Sequence, residues 1–266
     1  MSADHEAAIQ RAFSQQAPSF EDPRYAPIFT EQTEWMFAAL ELRADDLLLD
    51  VAAGTGHAAR ALAPAVRCAV ALDATEAMLN EGKAAADRDG VGNVVFVCGD
   101  AAALPFPDAS FDVVVSRYAV HHFETPEIPL REMVRCLRPG GRIAVADIVV
   151  DPDPSVASAQ NHLERLRDPS HTRMLALEDL AALLQRTGMT IVAAEAREVE
   201  RPLAPWLDQA DALAATRAAI GAELAAELAG GPPTGFRPRE VDGEMRFVHR
   251  IASVVAIRGD PDDGGQ

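Results

Sequence analysis

Asp50-Val51-Ala52-Ala53-Gly54-Thr55-Gly56 sets a carboxylate at the end of an apolar run and two glycines in the turn that follows. Glycine reaches positive φ at little cost and lets a ligand approach the backbone. A strand, a glycine turn and a helix in that order therefore build a nucleotide-type pocket. A second apolar run, Ala69 to Leu72, ends at Asp73, seventeen residues past Gly56, where a carboxylate can hold ribose hydroxyls. The pair points to an adenosine-containing cofactor. Gly54 to Ala59 also fits a dinucleotide turn, so a nicotinamide-dependent oxidoreductase is the competing chemistry. Tyr118 stands four residues before His122, where the Tyr-x-x-x-Lys of some dehydrogenases would need a lysine, and this counts against the nicotinamide reading. Histidine is the natural general base near neutral pH, and His121, His122, His162 and His171 are the candidates; Arg117 is suited to a carboxylate or other anion.

Positioning these groups requires a sheet. Apolar β-prone runs recur at 46–51, 67–73, 93–98, 111–116 and 142–149, with polar or alanine-rich helical stretches between them. That alternation predicts parallel strands with crossover helices on both faces. Asp50, Asp73, Asp100 and Arg117 then fall at the carboxyl ends of strands, the edge where open α/β sheets bind ligands. Thr75 is expected to cap a helix, the spacing over 130–137 is helical, and Arg138-Pro139-Gly140-Gly141 should end that helix and turn into a strand. A helix over 177–187 and strands over 189–196 and 246–257 complete the pattern. Two stretches stand outside it: residues 1–43, with Phe13, Tyr25, Trp35 and Phe37, and residues 197–245, with an alanine-rich helical segment. The tail, 259–266, is expected to be disordered.

Composition excludes several classes. The chain has 266 residues and a formal net charge of -17, which argues against nonspecific binding of nucleic acid. Lys83 is the sole lysine, so Schiff-base chemistry is not expected. Cys68, Cys98 and Cys136 are far apart and read as buried reduced thiols. No catalytic metal is expected, because neither a Cys/His set nor an Asp/Glu cluster has ligand spacing along the chain. No membrane span and no signal-peptide core are evident, giving a cytoplasmic expectation. His5 and His249 have no chemical neighbours in the sequence that single them out.

Taken together, Asp50 to His57, Val70 to Thr75, Gly99-Asp100-Ala101, Leu104 to Asp112, Arg117 to Phe123 and Leu137 to Gly141 resemble the class I S-adenosylmethionine-dependent methyltransferases. The branch is the one with the ubiquinone and menaquinone C-methyltransferases. Asn161 to His171 looks like a segment of uncharacterised bacterial members of that branch. The resemblance implies a Rossmann-like α/β fold, a seven-stranded, mostly parallel sheet in the order 3-2-1-4-5-7-6 with strand 7 antiparallel. An N-terminal helical lid over 1–43 and a methyltransferase domain over 44–258, with cap insertions near 151–176 and 197–245, would follow.

What the resemblance implies for the site is equally specific. Gly54 and Gly56 would let the backbone pass the ribose and methionine portions of S-adenosylmethionine, and Ala52, where many members carry glycine, would add a methyl group there. Asp73 would accept from the ribose hydroxyls, Asp100 and Ala101 would address the adenine, and Ala74 and Met78 would pack on its face. Asp50 and Arg117 would serve the amino and carboxylate groups of the methionine moiety. His57 would cap or pack nearby. His121, His122, His171 and Tyr118 are the candidates for acceptor activation, and Tyr25, His162, Arg173 and Trp206 for acceptor contact. The expected partners are a small-molecule acceptor, apolar or aromatic, and a second copy in a homodimer, with neither nucleic acid nor membrane. A cofactor-pocket protein with a regulatory or non-methylating role is the alternative.

Overall fold

The computed structural model describes residues 3–25 and 32–259, with side chains from residue 10 onward; the tail expected to be disordered lies outside it beyond Gly259. Its sheet is built from β1 (Leu47–Val51), β2 (Cys68–Asp73), β3 (Val94–Cys98), β4 (Phe111–Arg117), β5 (Leu137–Val149), β6 (Met189–Pro202), β7 (Arg239–Val241) and β8 (Glu244–Arg258). The order is β3-β2-β1-β4-β5-β8-β6, with β7 paired only to β8. The first five strands are parallel to one another, and β8 runs antiparallel to both β5 and β6. This is the expected topology, with a short eighth strand added by a hairpin.

Helices cover the sheet: α1 (Ala3–Phe20), α2 (Thr33–Phe37), α3 (His57–Leu62), α4 (Glu76–Asp89), α5 (Glu127–Cys136), α6 (Pro154–Arg167), α7 (Leu177–Arg186), α8 (Leu203–Gln209) and α9 (Ala214–Leu228). The central strands carry unbroken apolar runs, Leu47 to Leu49, Ala69 to Leu72, Val113 to Val115 and Ile143 to Ala146, because both faces are covered. Leu49, Val114, Val145 and Val254 pack under α5 and α7 on one face, and Leu48, Val113, Val115 and Val255 pack under α2 and α3 on the other. A third cluster, Leu163, Trp206, Ile220, Phe236 and Phe247, joins α6, α8 and α9 above the end of β8. No helix among the described residues is long and apolar enough to cross a membrane.

Several local expectations are corrected. Arg138 to Gly141 does make the turn, but it bulges out of β5: Leu137 already pairs with Phe111, and Arg142 resumes opposite Val113. Gly140 has φ of 70°, which explains the glycine there. β6 runs on to Pro202, so the excursion before β8 begins at Leu203 rather than Arg197. Thr75 occupies the N-cap position of α4 without a capping hydrogen bond from its side chain. Cys98, on the edge strand β3, is exposed, and Cys68, at the start of β2, is half-buried; only Cys136 is buried.

Candidate active site

The cavity opens over the carboxyl ends of β1, β2 and β4, and encloses about 1370 Å³ with its mouth included. One wall comprises Ala52, Gly54, Asp73, Ala74, Met78, Asp100 and Ala101; the opposite one holds Arg117, Tyr118, His121, His122 and His171. Phe13 and Phe20 of α1 and Trp206 of α8 lie across the top.

The first wall follows from how β1 ends. Ala52, Gly54 and Gly56 have φ of 54°, 57° and 75°, so the chain doubles back between strand and α3. A Cβ on Gly54 would have nothing within 4 Å, leaving open space over its backbone. Asp73 fastens this turn to β2: Oδ2 accepts from Gly54 N and Oδ1 from Thr75 N, both at 2.8 Å. The Thr75 hydroxyl and the Ala74 amide also face this carboxylate. Burial raises its pKa. Asp100 is organised by Ala102 N at 2.8 Å.

Asp50 and Gly56 do not line the cavity. Gly56 serves as N-cap of α3. Asp50 sits beneath the turn, its Oδ2 accepting from Ala59 N at 3.0 Å while Oδ1 has no partner among the described residues. Burial pushes its pKa up to about 7, opposed by the Ala59 amide and Arg117. Arg117 itself lies over the Tyr118 ring at 4.8 Å. The Asp73 carboxylate at the cavity wall and the open space at Gly54 fit the ribose hydroxyls and a ligand backbone that S-adenosylmethionine presents. His57 is held by α1, its Nε2 3.0 Å from Phe20 O and 3.3 Å from Glu21. Burial drives its pKa down to about 3, keeping it neutral.

The second wall is a buried cluster of imidazoles and acids. The His121 ring centroid is 4.2 Å from those of both His122 and His171. His121 Nδ1 meets Asp147 Oδ1 at 2.5 Å; burial opposes its charge, but Asp147 prevails and raises its pKa. His122 Nδ1 faces Ser170 O at 3.1 Å, and burial followed by His121 takes its pKa down to about 4. His171 is driven well below the ordinary histidine range by burial and its two neighbours. His249, unremarkable in the sequence, also lines the cavity, with Nε2 2.8 Å from Glu164 Oε1.

Not every expected acceptor residue reaches this wall. Trp206 lines the cavity under the Arg167 guanidinium, 4.8 Å away. His162 instead points outward on α6 toward Glu223 at 3.5 Å, both largely exposed. The Arg173 side chain is exposed, only its amide turning inward to His121 O at 3.1 Å. Tyr25 is half-buried outside the lining, beside Arg24. Sequence reasoning missed Asp147, Glu164, His249, Arg167 and Arg201, all near the cavity or lining it. The alternation of β5 and β8 marks Asp147 and His249 as polar residues in apolar strands, the signal that was available.

Residues 49–145 match the model of the methyltransferase domain family. The chain is 39% identical over 173 residues to the uncharacterized methyltransferase YcgJ of Bacillus subtilis, covering 64% of this chain and 67% of YcgJ. The crystal structure of YcgJ superposes with a TM-score of 0.77 at 30% identity, over 86% of this chain and 98% of that one. A 27-O-demethylrifamycin SV methyltransferase of Amycolatopsis mediterranei is 34% identical over 62% of either chain. A ubiquinone/menaquinone biosynthesis C-methyltransferase of Roseobacter denitrificans is 37% identical over 57% of this chain and 63% of its own length. The match thus spans less than two thirds of these last two relatives.

Proposed function

The chain belongs to the class I S-adenosylmethionine-dependent methyltransferases, and from that premise we propose that it methylates a small molecule with an apolar or aromatic body at the histidine wall of the cavity. The observation that carries this reading is that one continuous cavity joins the Gly54, Asp73 and Asp100 wall to Tyr118, His121, His122 and His171. S-adenosylmethionine supplies a methyl group on a sulfonium, a donor whose charge collapses as a nucleophile attacks. The chain's own contribution is then alignment and exclusion of water, which can supply much of a rate enhancement.

The residues divide that work by chemistry. Asp73 receives the ribose hydroxyls while holding the glycine turn, and Asp100 with Ala101 bounds the adenine, whose face packs on Ala74 and Met78. Arg117 balances the carboxylate of the methionine portion, and Asp50, beneath the turn, acts on its ammonium indirectly. Phe13, Phe20 and Trp206 supply apolar surface to the acceptor and cover the site, in which role the N-terminal segment and the helical excursion after β6 act as a lid and cap. Two relatives are named for small-molecule chemistry, one for 27-O-demethylrifamycin SV and one for ubiquinone/menaquinone biosynthesis, which favours this class. The acceptor's nucleophilic atom is activated at the histidine wall.

S-adenosylhomocysteine should bind saturably by titration calorimetry, and Asp73→Ala should weaken it at least tenfold. Unchanged affinity in that variant would remove Asp73 from the cofactor site. Mass spectrometry over a panel of phenols, quinols and macrolactams should find a product heavier by one methyl. Cofactor binding without any methylated product across the panel would favour a regulatory role, and tighter binding of NAD than of S-adenosylhomocysteine would overturn the assignment.

A further inference from the structure

His121 and His122 are neighbours on a single-turn helix, and His171 comes from the loop that follows α6, yet one ring nitrogen of each lies within 4.8 Å of one from each of the others. The loop is fastened to the same two residues it meets. Thr172 N and Arg173 N donate to His121 O at 2.9 and 3.1 Å, and Thr172 Oγ1 donates to His122 O at 3.0 Å. Three rings from two segments are therefore held against one another by a built frame, and all three are buried.

Their hydrogen bonds decide which nitrogens carry lone pairs. Carboxylate and carbonyl oxygens only accept, so Asp147 Oδ1 places the proton on His121 Nδ1, and Ser170 O places it on His122 Nδ1. The lone pair of each neutral ring is then on Nε2. His171 turns Nε2 toward Glu164 Oε2, 3.9 Å away, and its Nδ1 is buried with no hydrogen-bond partner among the described residues. Buried imidazole nitrogens that converge, two of the rings donating Nδ1–H to an oxygen acceptor, form the pattern by which proteins orient histidine ligands to a transition metal. Three such ligands beside an open cavity leave coordination positions for water or substrate.

We propose that His121, His122 and His171 bind one divalent first-row transition ion, such as zinc, cobalt or iron, on the acceptor side of the cavity. Asp147 and Glu164, behind two of the rings, offset its charge, and imidazole donors suit such ions better than magnesium or calcium. The absence of ligand spacing along the chain does not bear on this site, since the two segments meet only in the fold. The ion's role rests on the methyl-transfer reading: its open positions take an acceptor oxygen, so the acceptor class narrows to hydroxyl, phenol or enol compounds. The oxygen binds as its anion, its proton passes to solvent, and the oxygen or its conjugated carbon is thereby made nucleophilic.

Chelator-treated full-length protein titrated with cobalt chloride should bind one equivalent with a visible absorption spectrum of nitrogen-ligated cobalt, and zinc chloride should displace it. His171→Gln and His122→Gln should each weaken binding at least tenfold, and Asp147→Asn by ten- to a hundredfold. His162→Gln, outside the cavity, should leave it unchanged. S-adenosylhomocysteine affinity, measured on every variant, reports whether the fold and cofactor wall are intact. Normal S-adenosylhomocysteine binding with no stoichiometric cobalt uptake, or cobalt uptake indifferent to His171→Gln and His122→Gln, overturns the metal site and leaves the methyltransferase reading standing. One equivalent of cobalt lost on those substitutions, in a protein that does not bind S-adenosylhomocysteine, supports the metal site and overturns the methyl-transfer role.

Discussion

Asp50 is a carboxylate whose pKa burial has pushed up to about 7, facing Arg117 and Asp73 and keeping one oxygen without a partner among the described residues. Its unfolded value, 3.8, is lower than its folded one, so folding takes up a proton between them. The stability this group contributes is complete below pH 3.8 and is lost as pH rises through about 7. A bound ammonium reverses that preference, because it interacts with the anion. The affinity for S-adenosylhomocysteine should therefore rise about tenfold from pH 6 to pH 8, and Asp50→Asn should flatten the dependence. Calorimetry at the two pH values checks both. Ala52 presents a different strain: φ of 54° costs an L-residue roughly 1–2 kcal/mol, partly offset because glycine has more freedom to lose on folding. Ala52→Gly should raise the melting temperature of the ligand-free protein by about 2 °C, read by thermal denaturation.

At the scale of elements, α4 is set by one residue that sequence reading passed over. A Cβ on Gly82 would stand 2.3 Å from Thr55 O and 2.8 Å from the Phe96 ring, so α4 can lie against the glycine turn only with glycine there. Gly82→Ala should destabilise by about 1–3 kcal/mol through overpacking, despite alanine's better helix propensity. It should also weaken S-adenosylhomocysteine more than tenfold, since Thr55 lies in the turn that must move. Urea unfolding and calorimetry separate the two effects. Strands were more legible than such contacts. The inner parallel strands carry apolar runs because they are covered on both faces, and those runs can be read residue by residue. The start of β5 was not, because Leu137 pairs with Phe111 across the Arg138 to Gly141 bulge, and no local pattern announces a strand resuming after a turn.

Across the whole molecule, the N-terminal segment is joined to the cofactor wall by charge. Arg60, in α3, bonds Glu21 at 2.5 Å and Asp89 at 3.0 Å, and Glu21 also faces His57 and Arg88. These contacts hold α1, with Phe13 and Phe20, over the cavity. Arg60→Ala should leave the sheet folded but speed dissociation of S-adenosylhomocysteine at least fivefold in stopped-flow measurements, and should open residues 10–25 to limited proteolysis. Unchanged dissociation would mean that α1 does not cover the cofactor.

The order of the strands was implied by the family resemblance; the apolar runs, the glycine turn and the acidic residues at the strand ends follow from the sequence alone. Each rests on local pattern: apolar runs, glycines where φ is positive, carboxylates just past a strand. The histidine wall was decided by tertiary structure. His121 and His171 are fifty positions apart, and what joins them is a loop hydrogen-bonded to the carbonyls of His121 and His122. His249 and Asp147 reach the same region from β8 and β5, strands that become neighbours only when the sheet forms. His162, nine residues before His171, faces outward because the turn of α6 sends it the other way. Spacing along a chain predicts contact within one helix or strand; between elements, packing sets it.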